Sequence, residues 1–306
     1  MTAKRQVWAA VLLSLLTPGL GHLYGGRARA ALTIGLLASP LAASLLLLDM
    51  LVAPTPAAFA VLGVAIVLTF AVGIPVNAAL LARRAGAAYQ LQSFNRPVVY
   101  VAFVALVGIV WQQGAFRLWK AYVAEAFRNP SVAGEPTLLV GDYFYVVKFP
   151  ASARRPGLDS LIVFPSLEEP ALRVFKRAVG LPGDTLSMRD GVLYRNGRQV
   201  SEPYARRHDS PSYTNDRFVS KMRAWQVPHL IGADPARYLP TTRDWGPLVV
   251  PPDSFFAMGD NRDESYDSRF YGFIPLASAS GRPRRIYFSR EPGSGVRWKR
   301  IGLKVF

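Results

Sequence analysis

Lys176 is the residue of this sequence whose type and neighbours best suit acid–base catalysis. In an extended segment, alternation puts Val174 and Ala178 on the same face as Lys176, with Phe175 and Arg177 on the other face. Burial among small apolar side chains disfavours the charged ammonium and lowers the pKa of a lysine. A lysine that is neutral near pH 7 can accept a proton from a serine hydroxyl, so Lys176 is a candidate general base. A solvated surface lysine is the ordinary alternative for such a position.

Other groups of polar residues are weaker candidates for a site. His208, Asp209 and Ser210 are the residue types of a hydrolase triad, but consecutive residues cannot align as a proton relay, so a solvated loop is favoured. Three scattered histidines and no cysteine have no metal-ligand spacing. The run from Gly180 to Asp184 lacks the Lys-Ser/Thr ending of a phosphate-binding loop and is typical of a turn. We therefore expect no metal and no cofactor.

Charged and apolar residues are distributed unevenly along the 306 residues. The net charge is +16, and 51% of the residues are hydrophobic. Much of the basic excess flanks apolar runs or lies between Arg282 and Lys304, which suits anionic lipid headgroups better than nucleic acid. Nearly all long apolar runs precede Trp119. We predict a membrane region at 1–118, a water-facing domain at 119–306 and no binding of nucleic acid.

Three charge-free stretches have the length of transmembrane helices. They occupy residues 30–48, 57–82 and 97–116, and each reaches the roughly 20 residues that cross about 30 Å of hydrocarbon. An earlier apolar segment, 7–24, is interrupted by Pro18-Gly19 and has cations beyond both ends. It can form a re-entrant hairpin or a fourth span, and the hairpin is slightly favoured.

Loop charges predict the orientation of these spans. Arg27 and Arg29 precede the first span, the loop 51–56 contains no cation, and three arginines follow the second span. Because cytoplasmic loops are enriched in Lys and Arg, the domain after the third span is expected on the periplasmic or extracellular side. The sequence thus predicts a multi-pass protein of the cytoplasmic membrane whose partners include the lipid bilayer.

The remainder of the chain is typical of a mainly β domain. An Asn196-Gly197 pair is a strong hairpin signal, while residues 206–243 are polar and are predicted to form a surface insertion. Short runs rich in β-branched and aromatic residues predict strands at 143–147, 161–164, 173–175, 192–194, 199–200, 255–258 and 285–288.

Three blocks of sequence resemble, in order, the characteristic boxes of the bacterial type I signal peptidases. Residues 130–142, Pro-Ser-Val-Ala-Gly-Glu-Pro-Thr-Leu-Leu-Val-Gly-Asp, are similar to the nucleophile box Pro-Ser-x-Ser-Met-x-Pro-Thr-Leu…Gly-Asp. Residues 176–184 resemble the lysine box, and residues 259–269 the third box, with Glu264 where asparagine is usual. The resemblance extends over about residues 127–275.

The resemblance implies N-terminal transmembrane α-helices followed by a mainly-β signal-peptidase-type catalytic domain. It also implies endoproteolytic removal of signal peptides from exported preproteins by a Ser/Lys dyad; the peptide is bound as an added strand with small side chains nearest the cut. It indicates no oligomeric state. By position, the resemblance implies that Lys176 is the general base and that the Ser131 hydroxyl and the N–H of residue 133 are the oxyanion-hole donors. It implies further that Ser265 orients the lysine and that Asp267 and Arg269 support the loop.

Position 133 departs from the family pattern, because Ala133 stands where the nucleophilic serine belongs. The spacing from Pro130 to Pro136 equals that of the family box, so no insertion brings Ser131 into the nucleophile's place. Covalent catalysis needs the missing oxygen, and loss of a serine nucleophile leaves only a residual rate. Gly134 also replaces the usual methionine, and two adjacent changes favour natural divergence over a single engineered knockout.

Three interpretations of the site follow. The chain binds signal peptides and cuts them poorly or not at all; or Ser131 is recruited as the nucleophile; or the chain is a knockout of an ordinary enzyme. Recruitment requires the loop to shift, since same-face positions in an extended segment are roughly 6.5–7 Å apart. A membrane structural protein with an inactive peptidase domain is a further class of function.

Overall fold

A computed structural model of the chain describes residues 2–86, 89–207, 219–291 and 293–306. The chain forms two compact units, Met1–Tyr122 and Val123–Phe306. The boundary lies four residues beyond the predicted end of the membrane region at residue 118. The first unit is largely helical and the second is rich in β-sheet, which confirms the fold class expected from the sequence.

The first unit contains short helices at its start and long apolar helices after them. The short strands β1 (Thr2–Ala3) and β2 (Tyr89–Gln90) pair antiparallel within it. Its helices are α1 (Val7–Leu16), α2 (Leu20–Tyr24), α3 (Ala28–Val52), α4 (Pro56–Ala85), α5 (Pro97–Phe103) and α6 (Gln112–Tyr122), and a π-helical segment (Val104–Trp111) joins the last two.

Three helices, Ala28–Val52, Pro56–Ala85 and Pro97–Tyr122, are long and apolar enough to cross a membrane. Each extends beyond the charge-free stretch that predicts it, because the helix continues through flanking charged residues such as Arg29 and Arg84. Thr55 caps α4 by accepting a hydrogen bond from the N–H of Ala58 at 3.1 Å. Chain direction therefore reverses between α3 and α4 at a short, capped turn.

The segment 7–24 forms two short helices and no continuous fourth span. Helix α1 has 10 residues, which at 1.5 Å per residue is about half the hydrocarbon thickness. Gly19, at φ +91°, makes the turn, and a Cβ on it would lie 2.2 Å from the carbonyl oxygen of Ala31. The turn thus packs directly on α3, and a re-entrant hairpin remains the prediction for this segment.

The second unit contains three four-stranded antiparallel sheets, with strand orders β10-β7-β8-β9, β12-β11-β6-β5 and β14-β13-β4-β3. Its strands are β3 (Ala124–Arg128), β4 (Asp142–Val147), β5 (Leu161–Pro165), β6 (Arg173–Gly180), β7 (Thr185–Arg189), β8 (Val192–Arg195), β9 (Arg198–Gln199), β10 (Trp245–Val249), β11 (Ser254–Met258), β12 (Ile274–Pro275), β13 (Arg282–Glu291) and β14 (Gly295–Val296).

The segment predicted as a surface insertion, 206–243, is in part packed into this unit. It contains helix α7 (Val219–Gln226), in which Met222 and Gln226 are buried. Met222 belongs to an apolar cluster with residues of β7, β10 and β11. The polar composition of the segment conceals this contact, because only one side of a short helix faces the core. His208, Asp209 and Ser210 lie outside the described residues.

Candidate active site

Strand β6 positions Lys176 between two neighbouring strands. Ile162 of β5 is its cross-strand partner, and β11 pairs with the following residues of β6. Val174 and Ala178 pack in one apolar cluster, whereas Phe175 packs in another, with its ring centroid 5.4 Å from that of Phe144. The alternation predicted around Lys176 is therefore confirmed.

The ammonium nitrogen of Lys176 donates a hydrogen bond to the hydroxyl of Ser265 at 2.8 Å. The lysine is 7% exposed and the serine 6%. Burial lowers the pKa of Lys176 to about 8, against the opposing attraction of the Asp267 carboxylate. At pH 7 roughly a tenth of this lysine is therefore in the neutral form, which is the form that a general base requires.

Asp267 and Arg269 form a buried ion pair that supports the loop of residues 259–269. The carboxylate caps the short helix α8 (Ser268–Tyr271) and accepts hydrogen bonds from Arg269 Nε at 2.9 Å and the N–H of Gly259 at 3.0 Å. Burial alone would raise the pKa of Asp267, but the attraction of Arg269 holds it below its ordinary value. Arg269 also donates to the carbonyl oxygens of Thr242 at 3.2 Å and Ser265 at 3.3 Å.

The loop that contains position 133 is a tight turn, so the expectation of an extended segment is wrong. Val132–Gly134 form one 3-10 turn, and Ser131 is its N-cap. The Ser131 hydroxyl oxygen accepts a hydrogen bond from the N–H of Ala133 at 3.2 Å. The two groups predicted as oxyanion donors thus contact each other, and the spacing of an extended chain does not apply to Ser131.

Gly259 brings this turn and the Lys176–Ser265 pair together. A Cβ at residue 259 would lie 2.2 Å from Ser265 Oγ and 2.7 Å from the carbonyl oxygen of Ala133, so only glycine fits between them. The N–H of Asn261 donates to that same carbonyl oxygen at 3.1 Å. The structure therefore places residue 133, the lysine and its serine partner around one glycine, although their roles remain predictions.

A second buried ion pair joins the lysine strand to the same loop. Arg177 donates to Asp260 through Nε at 2.7 Å and Nη2 at 2.6 Å, and the Thr137 hydroxyl donates to Asp260 at 2.6 Å. Our sequence interpretation assigned no role to these residues. The sequence did contain a signal for this pair. Arg177 lies next to Lys176 on the opposite face of the strand, and a charged residue needs a partner if that face is buried.

Gly134 lies against the ring of Phe175. A Cβ at residue 134 would be 2.6 Å from Phe175 Cε2 and 3.4 Å from the Cβ of Leu138. The methionine usual at this position therefore does not fit while Phe175 keeps its place. The absent side chain at 134 and the bulky one at 175 are complementary, which supports natural divergence of this turn.

Part of the basic C-terminal stretch forms internal contacts and is not available to lipid. Arg285 is 1% exposed, Arg300 Nε donates to both carboxylate oxygens of Asp142 at 3.0 and 3.1 Å, and Arg297 donates to Ser289 at 2.9 Å. The expectation that cations of residues 282–304 suit lipid headgroups is thus wrong for these arginines. Asp142, which ends the predicted nucleophile box, contacts both Arg297 and Arg300, whereas Arg285 donates to the carbonyl oxygen of Gly302 at 2.7 Å.

Comparison with known proteins agrees with the three boxes. Residues 98–288 match the family model described as signal peptidase, peptidase S26. A signal peptidase I of Pseudomonas aeruginosa is 34% identical over 56% of this chain and 66% of its own length. A probable signal peptidase I-2 of Synechocystis is 31% identical over 53% of this chain and 62% of its own length. The chain thus spans somewhat less than two thirds of the length of these two relatives.

A crystal structure of a signal peptidase I from Enterococcus faecalis V583 is also similar in sequence. Its chain is 32% identical, and the match covers 42% of this chain and 96% of that one, with a TM-score of 0.28.

Proposed function

This chain belongs to the signal peptidase family, peptidase S26, and from that membership we propose that it binds signal peptides of exported preproteins without cutting them. One observation carries the proposal. The buried Lys176 lies 2.8 Å from Ser265, beside a turn in which Ala133 presents a methyl group where the family has a hydroxyl. The base is in place, and the atom that it would deprotonate is missing.

The proposed roles follow from the chemistry of peptide-bond cleavage. In a family member with serine at this position, a neutral lysine takes the hydroxyl proton while the oxygen attacks the peptide carbonyl carbon. The negative charge that develops on the carbonyl oxygen needs hydrogen-bond donors, and we assign these to the Ser131 hydroxyl and the N–H of residue 133. Ser265 orients the lysine, while Asp267 and Arg269 hold the loop. With Ala133, no covalent bond to the peptide forms.

Recruitment of Ser131 as the nucleophile is a second candidate, and the turn geometry weighs against it. Its hydroxyl caps the turn through the contact with the N–H of Ala133 at 3.2 Å. Attack by this oxygen would remove the cap and one oxyanion donor in the same step. We therefore assign Ser131 to the oxyanion hole.

We further propose that the three long helices anchor the chain in the cytoplasmic membrane, with Val123–Phe306 on the periplasmic or extracellular side. Arg27 and Arg96 precede two of those helices and Arg83 lies in the last turn of α4, and their positions support this orientation through the preference of cations for the cytoplasmic side.

The test of the proposed function is a binding and cleavage assay with the full chain in detergent. A labelled signal peptide with alanine at the positions nearest the cut should bind at least about tenfold more tightly than its phenylalanine counterpart, because pockets shaped for small side chains have no room for an aromatic ring. No cleavage is expected, with or without Ser131→Ala. Cutting that Ser131→Ala abolishes would establish the recruited serine instead, and equal weak binding of both peptides would favour a structural protein.

The lowered pKa of Lys176 predicts the pH dependence of an Ala133→Ser variant. With a pKa of about 8, roughly a tenth of this lysine is neutral at pH 7 and roughly nine tenths at pH 9. Because the neutral form is the base, kcat/KM should rise about tenfold between these pH values. The pH–rate profile measures this, with thermal unfolding recorded at each pH as the control. A flat or falling profile would show that another group is the base.

A further inference from the structure

The guanidinium of Arg5 is buried in the first unit with two unpaired nitrogens. The residue is 9% exposed, and among the described residues neither Nε nor Nη2 has a hydrogen-bond partner. Buried charged donors without acceptors are costly and therefore rare. This arginine needs an acceptor, and its surroundings indicate which kind.

Two tyrosine rings surround the charge of Arg5. Its Cζ lies 4.4 Å from the ring centroid of Tyr24 and 4.3 Å from that of Tyr89. The ring faces stabilise a cation, but they provide no oxygen lone pair for the N–H groups. We call Arg5, Tyr24 and Tyr89 the Arg5 cage.

The Arg5 cage is held in place by the chain around it. Tyr89 pairs with Ala3 across β1 and β2, and its hydroxyl donates to Asn95 Oδ1 at 2.9 Å. Gly26 makes room for its ring, because a Cβ there would lie 2.6 Å from the Tyr89 hydroxyl. The Tyr24 hydroxyl accepts a hydrogen bond from the N–H of Gln6 at 2.9 Å. The three residues of the cage thus come from three separate segments, and Gly26 and Asn95 support them.

No carboxylate of the same unit can satisfy Arg5. Asp49 is the one acidic residue in the sequence from 1 to 122, and it lies near the end of α3 (Ala28–Val52). At 1.5 Å per residue, it is roughly 30 Å along that helix from the end that follows Tyr24. A negatively charged oxygen acceptor for Arg5 must therefore be supplied by something other than the side chains of this unit.

We propose that the Arg5 cage binds phosphate oxygens, either those of an anionic phospholipid headgroup or those of free phosphate. A guanidinium donates to two oxygens of one phosphate in parallel, which matches the two unpaired nitrogens. Arg27 precedes α3, Arg84 lies in the last turn of α4, and Arg96 precedes α5. The short turn between α3 and α4 puts the ends with Arg27 and Arg84 on one side of the helices. Asn95, next to Arg96, donates to the carbonyl oxygen of Leu23 at 3.2 Å, so the local charge favours an anionic headgroup over a zwitterionic one.

The test is native mass spectrometry of the full chain in nonionic detergent, titrated separately with phosphatidylglycerol, phosphatidylcholine and inorganic phosphate. Phosphatidylglycerol should bind more tightly than phosphatidylcholine. Arg5→Gln should weaken its binding at least about tenfold, and Arg5→Lys by a smaller factor, because lysine retains the charge but not the paired donors. Lys4→Gln is the matched control, since it removes an equal charge from an exposed neighbour, and a change below about twofold is expected.

The arms of this experiment separate the two sources of phosphate. Binding of phosphatidylglycerol that depends on Arg5, without such binding of inorganic phosphate, assigns the cage to the lipid headgroup; the reverse assigns it to free phosphate. The proposal would be overturned if the unaltered chain and the folded Arg5→Gln and Arg5→Lys variants bound each of the three ligands with the same affinity. Should Arg5→Gln fail to fold, the unaltered chain and Arg5→Lys decide the question. This inference does not depend on the proposed peptide binding.

Discussion

Ala133→Ser is expected to raise the rate of signal-peptide cleavage at least about 10⁴-fold, since removing a serine nucleophile costs a comparable factor in a related type of chemistry. The substitution adds one oxygen to a turn that is already positioned. The N–H of Asn261 donates a hydrogen bond to the carbonyl oxygen of residue 133 at 3.1 Å. The buried Lys176 Nζ lies 2.8 Å from the hydroxyl oxygen of Ser265. The measurement is kcat/KM for a preprotein, followed by the size of the released fragment.

Two matched variants make this prediction specific to the Ser/Lys mechanism. Ala133→Gly changes the same residue without adding a hydroxyl and should stay at the background rate. Adding Lys176→Met to Ala133→Ser removes the base while keeping an apolar chain of similar length, and it should return the rate to background. An Ala133→Ser protein no faster than the Ala133→Gly protein would show that the loops of this chain are not arranged for catalysis.

Arg269→Met is expected to lower the free energy of unfolding of the second unit by about 3–5 kcal/mol. The substitution leaves the Asp267 carboxylate buried, at 0% exposure, without its cation. It also removes donors from the carbonyl oxygens of Thr242 and Ser265. Urea unfolding of the full chain, followed by tryptophan fluorescence, measures the change.

The matched control for this prediction is Arg237→Met. Arg237 pairs with Asp234 at 3.6 Å, but its side chain is 90% exposed, so solvent screening limits the expected loss to less than about 1 kcal/mol. A loss for Arg269→Met as small as that of the control would mean that the buried pair can be replaced without penalty. In the Ala133→Ser background, Arg269→Met should also slow cleavage, because Asp267 holds the N–H of Gly259.

The elements of this chain were largely predictable from local patterns. The long apolar stretches predict the three long helices, and alternation around Lys176 predicts which neighbours share its face. Strands β3, β7 and β10 escaped prediction, because Ala124–Arg128, Thr185–Arg189 and Trp245–Val249 contain at most one β-branched residue each. Helix α7 escaped because its fully buried apolar residue, Met222, lies in a polar segment.

The details of the site were less predictable, because they depend on residues distant in sequence. The turn at Val132–Gly134 is fixed by Asn261, which lies more than a hundred residues later. The ion pair of Arg177 with Asp260 likewise joins two boxes. A sequence pattern identifies such residues as candidates for the site, but it does not show which of them contact each other.

The contact of Gly134 with Phe175 limits the order in which this protein could change over evolutionary time. A hydroxyl at residue 133 is one substitution away and adds a single atom to the turn. A methionine at residue 134 requires the Phe175 ring to shift or to be replaced by a smaller side chain, since even a Cβ would lie 2.6 Å from that ring. The two departures from the family box therefore differ in reversibility, because the first can be undone alone and the second only after a change in a neighbouring strand.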